Sequence, residues 1–563
     1  MSKKARNEIG GKPGNFIFQA GILAAAGIVV RIIGILYRSP LVVIIGDEGN
    51  GYYNTAYAIY TIILLVSSYS IPSAISKVIA ARLSLGEYRN AYRLFIGSIV
   101  YVVIVGGIGS IVCGVFADRL VGANSAEVLK IFAPTIFFSG LLGSLRGFFQ
   151  AHHTMVYTSF SQILEQIFNA AISIGAAFIF VKMLSGSDAT SIAIGGAKGS
   201  AIGTGAGVLA SLVFMCLVYV SNKPLIKKHL EQDKTPAIRI MNSIDVAMSI
   251  IGMVTPVVLS TCIYNLSTVI NLKIYQGTVM NYGGVSEAVA TTGYGLFSGK
   301  AMQIINIPIA IATAVSSAII PAIANSHERG EKEGEYYKIS HAMRVTMMIA
   351  IPSAVGLFVL SEPITILLYP QKSSYIMVSH LIKALSITVV FYCVSTLSNA
   401  ILQGTGNVSV PVKNALIALI AQTGVLVLLL RVTSLDLYAL CLAAVTYSLL
   451  MCILNSVAIR NRLGYVQEYR NTFLMPFVAS AMMGLCAGGC NMLITHLLHE
   501  KKGSMDMIRG WDNILRLVVS IIVAVLVYGV LMLGLGIISE EEITSIPGGR
   551  KIAPVLKRCR LLR

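Results

Sequence analysis

Windows of about 20 consecutive apolar residues recur from one end of this chain to the other, and each is long enough to cross a bilayer as a helix. A backbone in hydrocarbon has no water to bond to, so the groups of such a segment must be satisfied within the protein. The 563 residues are 55% hydrophobic and 12% charged, about half the charged share of a soluble domain. The sequence therefore predicts an all-α polytopic membrane protein. Fourteen transmembrane helices are expected, at 16–38, 53–76, 94–116, 127–149, 157–181, 194–220, 246–272, 293–322, 343–368, 376–401, 411–430, 436–458, 471–495 and 514–538. The first is too long for a signal peptide and lacks a small-residue cleavage site, so it is expected to be a span. Pro72, Pro134, Pro256, Pro308 and Pro352 fall inside spans. Each removes a backbone donor, which makes it an expected kink.

Charge sets the expected orientation. With the N-terminus inside, 28 of the 43 Lys and Arg fall in inner segments and 11 in outer loops; Arg31, Lys300, Lys383 and Arg516 lie within spans or at their edges. This bias places both termini in the cytoplasm. The net charge of +18 is then a topology and membrane-surface signal, and no nucleic-acid partner is expected. The basic stretch "KPLIKKHLEQDK" (223–234) reads as an inner linker that meets lipid headgroups.

The sequence also repeats. "RGFFQAHHTMVYTS" (146–159) follows the fourth span and "NAILQGTGNVSVPV" (399–412) the tenth, aligning Gln150 with Gln403. Upstream, "SAIS" (73–76) and "GEYRNAYRLF" (86–95) are echoed by "SAII" (317–320) and "GEYYKISHAM" (334–343). A step of six spans keeps both copies in one orientation, which implies two lobes related by an axis along the membrane normal. The expected organisation is an N-terminal six-helix lobe at 1–222, a cytoplasmic linker at 223–245, a C-terminal six-helix lobe at 246–460, and two extra helices with a basic tail at 461–563. Two such lobes would enclose a cavity able to open to either side.

Arg31 stands in the middle of "GIVVRIIGILYR" (27–38), with no acidic residue within four positions. A charge at membrane depth costs roughly 2.5–3.5 kcal/mol on insertion scales, so water, a partner helix or an anionic substrate must offset it. Lys300 lies early in the eighth span, Arg38 at the outer end of the first, and Lys77 at the inner end of the second. Arg presents a planar fork suited to phosphate and Lys a compact point charge. Together the four suggest a site for an anionic headgroup, above all a pyrophosphate. The alternatives are that Arg31 pairs with backbone carbonyls or with Glu165, and that Arg38 and Lys77 snorkel to an interface. Glu165 and Gln166 form the clearest polar pair within a span; Glu165 could balance a cavity cation, hold a coupling ion, or simply be satisfied by neighbouring helices.

Other features point away from chemistry. The nine cysteines show neither metal-ligand spacing nor a disulfide framework and are expected to be small buried hydrophobes. "IIGDEGNGYY" (44–53) reads as an acidic outer turn with too few ligands for a calcium loop. His152 and His153 lack metal-type partners. "GTGAG" (203–207) reads as close helix packing rather than a phosphate loop. No nucleophile–base arrangement or nucleotide motif is present, so no enzyme activity and no metal or cofactor are expected.

Two stretches carry a resemblance. "RIIGILYRSPLVVIIGDEGNGYYNTAYAIYTIILLVSSYSIPSAISKVIA" (31–80) and "LRGFFQAHHTMVYTSFSQILEQ" (145–166) resemble the polysaccharide-transport branch of the MOP exporter superfamily, in its stage V sporulation protein B and MurJ-type lipid II flippase group. The resemblance implies a V-shaped transporter that flips an undecaprenyl-diphosphate-linked cell-wall precursor, most simply lipid II, by alternating access in the cell membrane. It implies a role in peptidoglycan synthesis or sporulation, a lipid-linked glycan and membrane lipids as partners, and coupling to an ion or the membrane potential. A monomer is expected. It also implies that Arg31 and Arg38 match the first-span arginines of such flippases and that Lys77 and Lys300 stand where they carry cavity cations. The last two spans would form a groove for the lipid tail, with Arg516 at its edge. The rival readings are a cation-coupled multidrug exporter of the related MATE branch, with Glu165 as its carboxylate, and a non-transporting scaffold.

Overall fold

The computed structural model describes residues 16–536 apart from 70, 153, 234–235, 237–239, 503–509 and 535. The N-terminal cations, His153 and the basic tail at 550–563 with Cys559 lie outside the described residues. Those that are described form helices and short turns, with no strand among them. Twelve helical stretches are long and apolar enough to cross a membrane. One of them, Val29–Ser84, runs from within the first expected span through the second, and the helix Ser243–Gly283 covers the expected seventh.

The join between the first two spans differs from the expected outer turn. Residues 44–53 are helical, and the direction changes at Gly46 alone (φ 71°) within the helical run Phe16–Leu64. Glycine has no Cβ penalty in that conformation, so one residue replaces a loop. Pro72 is the second residue of Ile71–Ser84 and comes soon after the π-helical turn Leu65–Tyr69. Pro134 and Pro352 do lie inside helices.

The chain forms two compact units, Met1–Gly295 and Leu296–Arg563. In the first, Ile75, Ile79, Leu94, Phe95, Phe148 and Phe149 form part of a buried apolar core. The opposite face of Tyr88–Val115 exposes Ile96, Val100, Val103, Ile104, Ile108 and Ile111. Such a stripe suits lipid, which is as apolar as these side chains and gives no hydrophobic drive to bring helices together. Close packing of small residues supplies that drive instead. Gly199, Gly203 and Gly207 align at four-residue spacing along Ala189–Glu231 and press it onto Met155–Met183. A Cβ at Gly199 would stand 2.5 Å from the Ala177 nitrogen, one at Gly207 2.5 Å from the Glu165 carbonyl oxygen, and one at Gly203 would overlap Ser173. The "GTGAG" stretch is thus a helix-packing groove.

The repeated "GEY" motif performs parallel work in each unit. In the first, Glu87 accepts from Arg82 Nη1 at 3.1 Å and Asn90 Nδ2 at 2.9 Å, and Tyr88 stacks on His229 at 5.2 Å. In the second, buried Glu335 meets His327 Nδ1 at 3.1 Å, and the Tyr336 hydroxyl donates to the Leu463 carbonyl at 2.6 Å. Each tyrosine fastens the turn to the end of a later helix. In the first unit the turn also holds the basic linker: Asp233 accepts from the Arg89 amide, Asn90 accepts from the Met241 amide at 2.9 Å, and Arg93 donates to the Met241 carbonyl.

In the second unit, the helices Met475–Lys502 and Trp511–Gly534 pair with each other, and Met348 and Val355 of Lys332–Val359 pack against them. The cysteines divide by position. Cys113, Cys393 and Cys441 are buried as expected, whereas Cys216 and Cys486 are exposed on helix surfaces, where an apolar surrounding accepts them equally well.

Candidate functional site

The first span packs through one face. Tyr37, Leu41 and Ile45 sit against Ala170, Ile174 and Ala177 of Met155–Met183. One and two turns earlier on that side lie Gly34 and Arg31. The Gln166 Nε2 atom stands 3.3 Å from where a Cβ at Gly34 would be. Gly34 lies three residues after Arg31 and four before Arg38, so the helical repeat places all three along one stripe. The absent side chain at 34 lets the Gln166 amide come between the two arginines in height. Arg31 is exposed and has no hydrogen bond or ion pair among the described residues, while Arg38 is partly buried.

Glu165 points to a different partner. Arg146 Nη2 binds Glu165 Oε2 at 2.8 Å, and Arg146 Nε donates to Ser161 Oγ at 2.9 Å. Ser211 Oγ then donates to the Ser161 carbonyl at 2.6 Å. The ion pair and these hydrogen bonds together tie three helices, Ala123–Ala151, Met155–Met183 and Ala189–Glu231. The alternative in which Glu165 neutralises Arg31 is overturned by this geometry. Lys77 is exposed on Ile71–Ser84 and has no partner among the described residues.

Lys300 is placed by other means. The first two turns of the second span meet Glu287–Gly295 so closely that a Cβ at Gly51 would stand 2.7 Å from the Thr291 carbonyl oxygen. Gly295 leads directly into a π-helical turn, Leu296–Ala301, which holds Lys300. A π turn inserts an extra residue and re-aims the side chains around it. Lys300 is 0% exposed. Its Nζ donates to Gln371 Oε1 and Ser374 Oγ, each at 3.0 Å, and lies 5.4 Å from the centre of the Tyr369 ring.

Of the predicted site residues, the structure thus groups Arg31, Arg38 and Gln166 on one helix pair. It withdraws Glu165 into an ion pair, leaves Lys77 on a helix surface, and encloses Lys300 within the second unit. Three features were not read from the sequence. Arg146 was counted only as a topology charge, although it opens the quoted "RGFFQ" stretch. Tyr369, Gln371 and Ser374 lie in the turn "YPQKSS" (369–374), which has no motif to mark it. Arg516 is only 3% exposed, in the second turn of its helix, and donates to Thr495 Oγ1 at 3.2 Å and Asn513 Oδ1 at 3.1 Å. Asn513 donates in turn to the Pro363 carbonyl at 3.0 Å, which anchors the last helix to the segment at 361–363. A cavity of about 200 Å³ between Ala123–Ala151 and Ala189–Glu231 is walled by Ile131, Pro134, Phe138 and Leu209, among others, and holds none of the predicted cations. No group of three or more His, Cys, Asp or Glu able to hold a metal occurs among the described residues.

Comparison with known proteins places this geometry in a family. Residues 88–511 match the family profile described as "Lipid II flippase MurJ". Stage V sporulation protein B of Bacillus subtilis (strain 168) is 24% identical over 539 residues, covering 93% of this chain and 96% of that protein. The lipid II flippase MurJ of the same organism is 21% identical over 501 residues, covering 86% and 90%. Among solved structures, a lipid II flippase MurJ in an inward closed conformation superposes with a TM-score of 0.62 at 15% identity, covering 90% of this chain and 97% of that one. An inward-facing MATE family multidrug transporter of the MOP superfamily gives 0.61 at 15% identity, covering 80% and 98%.

Proposed function

The chain belongs to the MurJ lipid II flippase family, and on that premise we propose that it carries an undecaprenyl-diphosphate-linked cell-wall precursor, lipid II itself, across the cytoplasmic membrane. The family consists of transporters rather than enzymes, so the task is passage of a headgroup and not a bond-breaking step. The observation that carries the reading is Arg31, an exposed arginine without a partner among the described residues, in the middle of an apolar span. Arg38 and Gln166 line the same stripe and add a second cation and an amide.

A pyrophosphate presents several anionic oxygens, and an arginine fork can bind two of them at once. The lipid tail remains in hydrocarbon while the headgroup crosses in a hydrated path, so the cost to be lowered is that of dehydrating sugar, peptide and phosphate. Both termini lie in the cytoplasm and the repeat defines two six-helix lobes. The driving force is an ion gradient or the membrane potential, the latter worth about 2.3 kcal/mol per charge per 100 mV.

The drug-exporter reading needs an intramembrane carboxylate able to exchange its ion for a cationic drug. Glu165, its best candidate, is engaged by Arg146 at 2.8 Å, which favours the flippase reading. The test is complementation of flippase-depleted cells. Arg31→Ala protein that reaches the membrane in normal amount is expected to fail, and full rescue would remove Arg31 from the mechanism.

A further inference from the structure

The stretch "SFSQILEQ" (159–166) is only half used by the scaffold. Ser161 and Glu165 are engaged by Arg146. Gln162 and Gln166 are partly exposed and make no hydrogen bond among the described residues. Amides within a span normally bond across helices, because enclosing one without a bond is costly. The position of these two shows what they meet. They stand one turn apart and share a face of Met155–Met183. Exposed Phe160, Ile167 and Phe168 project from the other side of that helix, the side that suits lipid. The first span runs parallel to Met155–Met183 and in register with it. Gly34 lies beside Gln166, and Tyr37, Leu41 and Ile45 follow along Ala170, Ile174 and Ala177. Carried one turn towards the N-terminus, that register sets Gln162 at the height of Arg31.

An arginine only donates, whereas a glutamine amide has two donors and a carbonyl acceptor. An ionised phosphate only accepts, so it satisfies Arg31 and leaves both glutamine carbonyls without a donor. Sugar hydroxyls and amide N–H groups supply one. An acylamino group does so reciprocally, its N–H meeting a glutamine carbonyl while its own carbonyl accepts from a glutamine N–H. We propose that Gln162 and Gln166 form a subsite for the sugar joined to the pyrophosphate, and that they select a ring bearing an N-acyl group. The inference rests on the flippase reading and deepens it by naming the residues that read the glycan.

The test measures binding to the full chain in lipid nanodiscs. Three lipids serve as probes: bare undecaprenyl diphosphate, and the same lipid carrying glucose or N-acetylglucosamine. The unaltered chain is expected to bind the N-acetylglucosamine lipid at least tenfold tighter than the bare diphosphate and at least threefold tighter than the glucose lipid. Tenfold is about 1.4 kcal/mol, within the reach of two neutral hydrogen bonds. Gln162→Leu/Gln166→Leu, apolar in an apolar span, is expected to bring the three lipids within threefold of one another. If that variant gives no single symmetric size-exclusion peak, Gln166→Asn keeps an amide one carbon shorter and is expected to lower the preference at least threefold. Arg31→Ala is expected to weaken all three lipids at least tenfold. Equal binding of the three by the unaltered chain, or a folded glutamine variant that keeps the preference, would overturn the subsite. Should Arg31→Ala still weaken all three in that case, the flippase reading stands. A glucose lipid that binds as tightly as the N-acetylglucosamine lipid would overturn the selection of an N-acyl group. Binding of none of the three would overturn both readings.

Discussion

Removing the charge of Glu165 without changing its shape tests whether this carboxylate is part of the scaffold or of transport. The perturbation is Glu165→Gln, alone and combined with Arg146→Gln. The pair is separated by 2.8 Å, with side-chain exposures of 13% for Arg146 and 31% for Glu165. Breaking a fully buried pair by removing one partner costs roughly 3–5 kcal/mol. Glu165 keeps almost a third of its surface, and Arg146 keeps its bond to Ser161, so the expected loss falls below that range, at roughly 2 kcal/mol. The second substitution then removes the stranded cation. The double variant should therefore be less destabilised than the two single losses added together, with a coupling of roughly 0.5–3 kcal/mol, the range for coupled neighbours. The assay is reversible unfolding in mixed micelles, followed by circular dichroism, with flipping measured in parallel on whatever folds. Additive losses within about 0.5 kcal/mol would mean no coupling and would refute the reasoning from this ion pair. A stable Glu165→Gln protein that had lost transport would refute it from the other side.

Two further outcomes follow from packing and from the repeat. Gly199→Ala places a methyl 2.5 Å from the backbone nitrogen of Ala177, which cannot swing aside; overpacking of this kind costs roughly 1–3 kcal/mol. Gly175→Ala, on the partner helix with nothing within 4 Å, is the control and should be neutral or gain up to about 1 kcal/mol from helix propensity, with thermal unfolding in detergent as the measurement. In the second unit Glu335 is 4% exposed and faces His327, so His327→Ala should cost roughly 1–3 kcal/mol by stranding a buried carboxylate. His327→Arg should preserve stability by giving this turn the kind of partner that Glu87 has in Arg82, and a collapse of that variant in the same unfolding assay would contradict the parallel between the repeats.

How much of this was legible beforehand depends on which residues are asked about. Helix-length apolar runs are a one-dimensional property, so the all-helical, multi-pass architecture could be read directly from them. The glycine groove was legible for the same reason, since four-residue spacing is itself the packing geometry. The turn at 44–53 was misread because acidic, glycine-rich composition usually marks a loop, and one residue, Gly46, made the loop unnecessary. Candidate site residues were visible as charges out of place, which is why Arg31 and Lys300 stood out. Their partners were not, because a partner is chosen by helix rotation and contact between distant segments. Glu165 is engaged by Arg146, 19 residues away, and Lys300 by Gln371 and Ser374, 71 and 74 residues away. Composition can show that a charge in a span must be offset, but only the fold decides by whom. Where the fold provides an ionic partner, as for Glu165, the charge is scaffold. Where it provides none among the described residues, as for Arg31, the proposed reading makes that charge the one kept for a phosphate.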